Sequence, residues 1–227
     1  MKRVEVALST MLRTGTAAVH SCAERLPFAR ALVSGRIGRC SYERLVESLY
    51  FVYAEMEAAL ERNRGHPALA LLDFAELRRL RSLEEDLAYW VGPSWRTSAS
   101  PSPATALYSA RVRCAVEHDP ILLVGHLYTR CLGDLSGGQL VGRAVERTFR
   151  LEEGRGAAFY RFAAIPDRTK FKEGYRARLD ALPIDGRGAD LIVAEAKEAF
   201  ALTMQLFDEL GATSSCADSS GKQPIRG

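Results

Sequence analysis

Residues 126–139 read His126-Leu127-Tyr128-Thr129-Arg130-Cys131-Leu132-Gly133-Asp134-Leu135-Ser136-Gly137-Gly138-Gln139. This stretch has the apolar spacing of a helix, yet it places three glycines and a lone Asp where a helix favours Ala and Leu. Each helix-interior glycine gives up roughly 1 kcal/mol relative to alanine, so Gly133, Gly137 and Gly138 imply that something bulky approaches the backbone closely. Gly133 and Gly137 are four apart and share one helical face. Arg130 and Asp134, also four apart, form a polar strip beside it. A bare patch with a polar margin suits a large planar ligand, and the helix carrying it is expected to form one wall of that ligand's site.

The same segment contains Leu135-Ser136-Gly137-Gly138-Gln139, the string found in the signature loop of ATP-binding-cassette ATPases. A nucleotide site of that kind also needs a glycine-rich loop ending in Gly-Lys-Ser/Thr to cradle phosphates, and the chain has none. Its nearest approach, Gly221-Lys222-Gln223, lies in a polar terminal stretch. The cassette reading is therefore set aside.

Outward from this segment, the 227 residues are 47% hydrophobic and 26% charged, which fits a single globular domain with a large core. A net charge of +3 is too mild to argue for nucleic acid, so partners depend on local patches. The five cysteines include no Cys-x-x-Cys pair, which fits a reducing compartment and offers neither a disulfide framework nor a zinc site. The N-terminus turns polar before any apolar h-region develops, and the longest apolar run, Ile121 to Val124, is too short to span a bilayer. A soluble cytoplasmic protein without membrane or nucleic-acid partners is expected.

Apolar residues recur at helical intervals almost throughout, as in Leu45, Leu49, Val52, Met56 and Leu60. The spacing predicts helices over 5–25, 41–63, 73–90, 103–118, 120–149, 167–181 and 186–210, with breaks at the prolines, Pro27 among them. Ser41 and Asp185 are expected as N-caps. The fold class is all-α, a single helical domain over 1–210 followed by a polar, disordered tail over 211–227.

Four histidines remain to be placed. His66 and His118 sit beside turns, and His126 lies on an apolar helix as a core imidazole. His20 shares a helical stripe with Arg13, Thr16, Ala17 and Glu24. It reads either as a surface His-Glu pair or as an axial metal ligand with Glu24 tuning it from behind.

The segment Tyr128-Thr129-Arg130-Cys131-Leu132-Gly133-Asp134-Leu135-Ser136-Gly137-Gly138-Gln139 resembles the signature of the heme oxygenases. The likeness extends to Thr16-Ala17-Ala18-Val19-His20, Ser48-Leu49-Tyr50-Phe51-Val52-Tyr53, Glu85-Asp86-Leu87-Ala88-Tyr89-Trp90 and Lys170-Phe171-Lys172-Glu173-Gly174-Tyr175-Arg176, in the family's order. Ser102-Pro103-Ala104-Thr105 and Leu182-Pro183-Ile184-Asp185 are similar to the soluble cyanobacterial and algal branch. The resemblance implies a bundle in which heme b lies between a proximal helix carrying His20 as iron ligand and a distal helix kinked at Gly133 to Gly138.

It also implies roles for individual residues. Gly133, Gly137 and Gly138 touch the porphyrin and leave room for dioxygen, while Asp134 anchors a water network that Tyr53 and Arg130 support. Arg13, Tyr128, Lys172 and Arg176 meet the propionates, Arg being suited to bidentate carboxylate contact. Heme is both cofactor and substrate. It is opened at the α-meso carbon to biliverdin, carbon monoxide and ferrous iron, with dioxygen as co-substrate. Reductant must come from outside, since no flavin or nicotinamide fingerprint occurs. Ferredoxin is the expected donor, steered by a basic rim of Arg168, Lys172, Arg176 and Arg178, with a flavin reductase as the alternative and a monomer as the working form.

The sequence departs from the family at Leu127, where Ala is usual, and at Cys131, where Tyr is usual, which opens the question of regiochemistry. A non-catalytic heme-binding or heme-sensing protein is the alternative reading.

Overall fold

Proline marks where several helices begin, because its fixed φ suits a first turn that has no use for its missing N–H. The structure is a computed structural model that describes residues 6–152 and 155–218, with side chains as far as 212. In it α1 (Leu8–Gly15) and α2 (Ala17–Arg25) join through Thr16, and Pro27 opens a further helix, α3 (Pro27–Val33), instead of merely ending the one before. Next come α4 (Arg39–Arg62), the short α5 (Pro67–Ala70), a 3-10 turn at Ala75–Leu77, α6 (Leu80–Trp90) and α7 (Trp95–Ser98). The helix expected from 73 thus starts at Leu80. Helix α8 (Pro103–His118) begins at Ser102, whose hydroxyl accepts from the Thr105 amide.

The segment expected as one helix over 120–149 is divided. A 3-10 turn at Pro120–Leu122 leads into α9 (Leu123–Leu127), then one wide π turn at Tyr128–Leu132, then α10 (Gly133–Phe149). The irregularity therefore lies just ahead of the glycines, which are themselves α-helical. The chain continues through a 3-10 turn at Ala158–Tyr160 to α11 (Arg168–Asp180) and α12 (Gly186–Asp218). Asp185 caps α12, its Oδ1 accepting from Gly188 N at 2.8 Å. Ser41 is not a cap; it lies inside α4, which starts after Gly38. Helix α12 runs to Asp218, past the expected end at 210, and the remainder of the expected tail, 219–227, lies outside the described residues. Among the described residues there is no strand, and no helix is long and apolar enough to cross a membrane.

The stripe Leu45, Leu49, Val52, Met56 and Leu60 is buried, and through it α4 packs against α6, α8 and α12 at the centre of one core. Helix α12 supplies Ile192, Ala196, Ala199 and Leu202 to that core and also touches α1, α2, α3 and α9. Its crossing with α9 is a backbone contact: a Cβ at Gly125 would lie 2.7 Å from Ala196 N. Beside that crossing, His126 is fully buried, with Nε2 2.9 Å from Glu195 Oε1, and Arg111 grips both carboxylate oxygens. His126 is thus a core imidazole, as its apolar helix suggested. Burial alone would raise the Glu195 pKa, but His126 and Arg111 outweigh it and hold the carboxyl below its ordinary value.

Candidate functional site

Helices α1 and α2 turn a single stripe inward. Thr16 N and Oγ1 both bond to Leu12 O, at 3.0 and 2.7 Å, and His20 N bonds to Thr16 O at 2.9 Å, so the helical repeat continues through the join. Arg13, Thr16, Ala17, His20 and Glu24 consequently line the same cavity, of about 600 Å³. The opposite wall is the distal segment, with Tyr128, Gly133, Ser136 and Gly137, and α11 closes one edge with Lys172 and Arg176. Of the expected ligand contacts, Arg13, His20, Glu24, Tyr128, Gly133, Gly137, Lys172 and Arg176 are all brought to this one space.

His20 is half-exposed toward the cavity. Its Nδ1 lies 3.7 Å from Glu24 Oε2, its ring packs edge-on against Phe200 at 5.5 Å, and no described side chain pairs with its Nε2. A cavity-lining ring with a carboxylate near one nitrogen and the other nitrogen unpaired among the described residues has the chemistry of an axial ligand. A surface ion pair alone leaves the cavity beside the ring unexplained.

A second cavity, of about 640 Å³, adjoins the first and shares Glu24, Gly133 and Gly137 with it. Arg130, Asp134, Gly138 and Tyr160 line its polar end, and Leu32, Leu45, Leu49, Val141 and Phe207 its apolar end. A Cβ at Gly133 or Gly137 would meet nothing within 4 Å, so both glycines face open space. A flat, largely apolar group with acidic substituents at one edge fits this pair of cavities: bare backbone above, imidazole below, cations at the rim.

Gly138 is different. A Cβ there would lie 3.0 Å from Tyr160 Cδ1, and one at Gly142 2.9 Å from Tyr160 Cβ. These two glycines make a slot for the Tyr160 ring, so the Gly138 backbone borders the cavity while its missing Cβ serves helix packing. The Tyr160 turn is in turn pinned by α6, where the buried Asp86 accepts from Ala158 N at 2.8 Å and Phe159 N at 2.9 Å.

At the polar end, Asp134 Oδ2 accepts from the Tyr53 hydroxyl at 2.6 Å and from Arg130 Nη2 at 2.8 Å, while Oδ1 accepts only from Arg130, at 3.0 Å. Tyr53 is buried on α4 and does not line either main cavity; its hydroxyl meets their lining at Asp134. Burial raises the Asp134 pKa above the ordinary carboxylate value, with Arg130 and then Tyr53 opposing the rise. Burial, and after it the charge of Asp134, pushes the Tyr53 phenol well up. Burial disfavours charge on Arg130, but Asp134 and the surrounding tyrosines more than restore it. The result is a carboxylate held in place with one oxygen less occupied than the other.

The departures at Leu127 and Cys131 fall on the far side of this helix. Both are buried beside Tyr53, Glu57 and Tyr175, around a small void that is separate from the two cavities, so they repack the outer face. The expected basic rim is also smaller than the sequence suggested. Arg168 lies over the Phe162 ring at 5.5 Å and reaches Leu135 O at 3.4 Å, and the Gln139 amide, turned to put its oxygen toward the guanidinium, accepts from Nη1 at 2.7 Å. Arg178 lies over Phe74 at 4.3 Å and bonds to Leu71 O, because two residues beyond Arg176 the helix faces another way. Residues missed from sequence are Tyr160, Phe200 and Ser9, whose roles come from distant segments; the paired glycines 138 and 142 were the available signal for Tyr160.

Comparison with known proteins yields one family. The profile described as Heme oxygenase matches residues 6–209. Heme oxygenase 1 of Synechocystis is 44% identical over 207 residues, covering 91% of this chain and 86% of that protein. Heme oxygenase of the alga Pyropia yezoensis is 42% identical over 207 residues, covering 91% and 87%. The crystal structure of Synechocystis heme oxygenase-1 in complex with heme superposes with a TM-score of 0.90 at 42% identity, covering 94% of this chain and 96% of that one.

Proposed function

The chain belongs to the heme oxygenase family, and from that membership we propose that its paired cavities seat heme with His20 on the iron and Asp134 managing protons above it. The activity is that of a heme oxygenase: dioxygen-dependent opening of heme, which is bound group and substrate at once. Bound heme supplies the iron that takes up dioxygen and the ring carbon that is oxidised. We assign the α-meso carbon as the point of opening, giving biliverdin, carbon monoxide and ferrous iron.

The observation that carries the residue assignments is the shared cavity itself, with His20 on one wall and the Cβ-free faces of Gly133 and Gly137 on the other. His20, a neutral nitrogen ligand backed by Glu24, is suited to iron without the electron push of a thiolate. Arg13, Tyr128, Lys172 and Arg176 fix the ligand's rotation by meeting its propionates at one edge. Gly133 and Gly137 allow the ring and a small diatomic to sit against the backbone.

Asp134 does not need to touch dioxygen. Its Oδ2 is occupied by Tyr53 and Arg130, which leaves Oδ1 room to accept from a solvent molecule and so hold that molecule's second O–H toward the cavity. Holding water between Asp134 and the cavity keeps the carboxyl group itself from acting as a direct acid there. Leu127 and Cys131, turned away from the ligand, leave the regiochemistry to the propionate contacts. For the electron donor we infer an acidic ferredoxin approaching the edge that Lys172 and Arg176 occupy.

Two substitutions test the assignments together, read by hemin titration and by single-turnover biliverdin yield. His20→Ala is expected to change the ferric Soret spectrum and lower hemin affinity; a wild-type spectrum would remove His20 as ligand. Asp134→Ala is expected to keep hemin affinity within roughly threefold and to cut biliverdin yield roughly tenfold or more, the usual scale for a lost proton-transfer group. Normal yield would exclude Asp134, and a stable oxygenated complex with no biliverdin in the wild type would favour a sensor.

A further inference from the structure

Helix α1 has no cap of its own. The residue before it is Ala7, whose side chain cannot accept a hydrogen bond, yet the second residue of the helix, Ser9, is the one whose amide a cap normally satisfies. The acceptor arrives from α11, at the edge of the cleft: Asp180 Oδ1 takes the Ser9 amide at 2.8 Å and Oδ2 takes the Ser9 hydroxyl at 2.9 Å. Asp180 is the last residue of α11. A carboxylate is poorly placed at the negative end of its own helix dipole and well placed at the positive end of another, so its position is explained by α1 and not by α11.

These two helices carry the cations of the rim. Ser9, Arg13, Thr16 and His20 follow one another at intervals of four, three and four along one stripe, and Lys172, Arg176 and Asp180 follow at intervals of four along the other. Ser9 lines the same cavity as Arg13, His20, Lys172 and Arg176. The Ser9–Asp180 pair therefore joins the two stripes at one end, as a pin joins the arms of a clamp, with the expected propionate contacts next along each arm.

We propose that Asp180 is a positioning residue for heme, fixing the separation between the α1–α2 arm and α11, and that this exposed latch sets how quickly heme leaves the cleft. The proposal rests on the assignment of Arg13, His20, Lys172 and Arg176 as heme contacts. Opening the latch frees Arg13 and His20 to move away from Lys172 and Arg176 as a unit, without disturbing the buried Arg130–Asp134–Tyr53 group. Retention and chemistry are thereby separable.

The test is the rate at which hemin passes from the ferric complex to excess apomyoglobin, together with the Soret spectrum of the complex. Asp180→Ala is expected to speed transfer roughly tenfold, equivalent to about 1.4 kcal/mol, with the Soret maximum unchanged. Asp180→Asn can still accept from the Ser9 amide and donate to its hydroxyl, so it is expected to stay within about twofold of wild type. Ser9→Ala, which removes only the hydroxyl bond and keeps the helix, is expected to fall between them. Unchanged transfer in Asp180→Ala and Ser9→Ala, while Lys172→Ala accelerates it, overturns the latch and spares the heme contacts. If Lys172→Ala and Arg176→Ala also leave transfer unchanged, the contact assignment fails and takes the latch with it.

Discussion

A Cβ at Gly137 would meet nothing, whereas one at Gly142, five residues along the same helix, would press into Tyr160 at 2.9 Å. The two glycines are silent in composition and opposite in purpose, one keeping space for a ligand and the other for a side chain. Gly137→Ala should stabilise the ligand-free protein by about 0.5–1 kcal/mol, the helix-propensity gain, while lowering hemin affinity. Gly142→Ala should cost about 1–3 kcal/mol from overpacking and leave the hemin affinity of the folded protein intact. Urea unfolding of the apoprotein beside hemin titration checks both, and equal behaviour of the two variants would contradict the division. Sequence alone marked the 133–138 glycines as costly and therefore purposeful. It did not separate Gly137 from Gly138, because Tyr160 comes from a segment more than twenty residues away.

At the scale of elements, α9 and α12 are held together by the Gly125 contact and by the buried His126–Glu195–Arg111 group. Because the Glu195 pKa is below the ordinary 4.5, its stabilisation is complete above that value and is lost as pH falls through the lower folded value. Glu195→Gln has no such proton to take up. The stability advantage of wild type over this variant should therefore be held above the ordinary 4.5 and shrink as pH falls below it, as measured by urea unfolding across an acid pH series. The periodic stripes of α2, α4 and α10 were legible because each repeats at helical spacing within its own sequence, that of α4 turned into the core and those of α2 and α10 turned to the cavities. Helix α3 was not foreseen, since Pro27 signals an end and a beginning equally well. The wide turn at 128–132 has no local code either. It lies between two fixed dockings, Gly125 on α12 and the Gly138–Gly142 slot on Tyr160, and it accommodates the spacing between them.

For the whole molecule, a net charge of +3 says little, but Lys172 and Arg176 stand together at the cleft edge, the side proposed above for an acidic donor. Turnover with ferredoxin should slow as ionic strength rises, through kcat/KM more than kcat; a flat salt profile would dismiss steering. Arg168 and Arg178, engaged over aromatic rings, should contribute less to that slope than their number in the sequence suggests. The π turn carries a further consequence for how this enzyme can diverge. A π turn closes over five residues where an α turn closes over four, so deleting one amino acid between 128 and 132 would leave an ordinary helix with Asp134 and both open glycines close to their present phase. The turn is thus the one place in this wall where a single-residue deletion is absorbed, while the same deletion further along α10 would turn everything beyond it by about 100°.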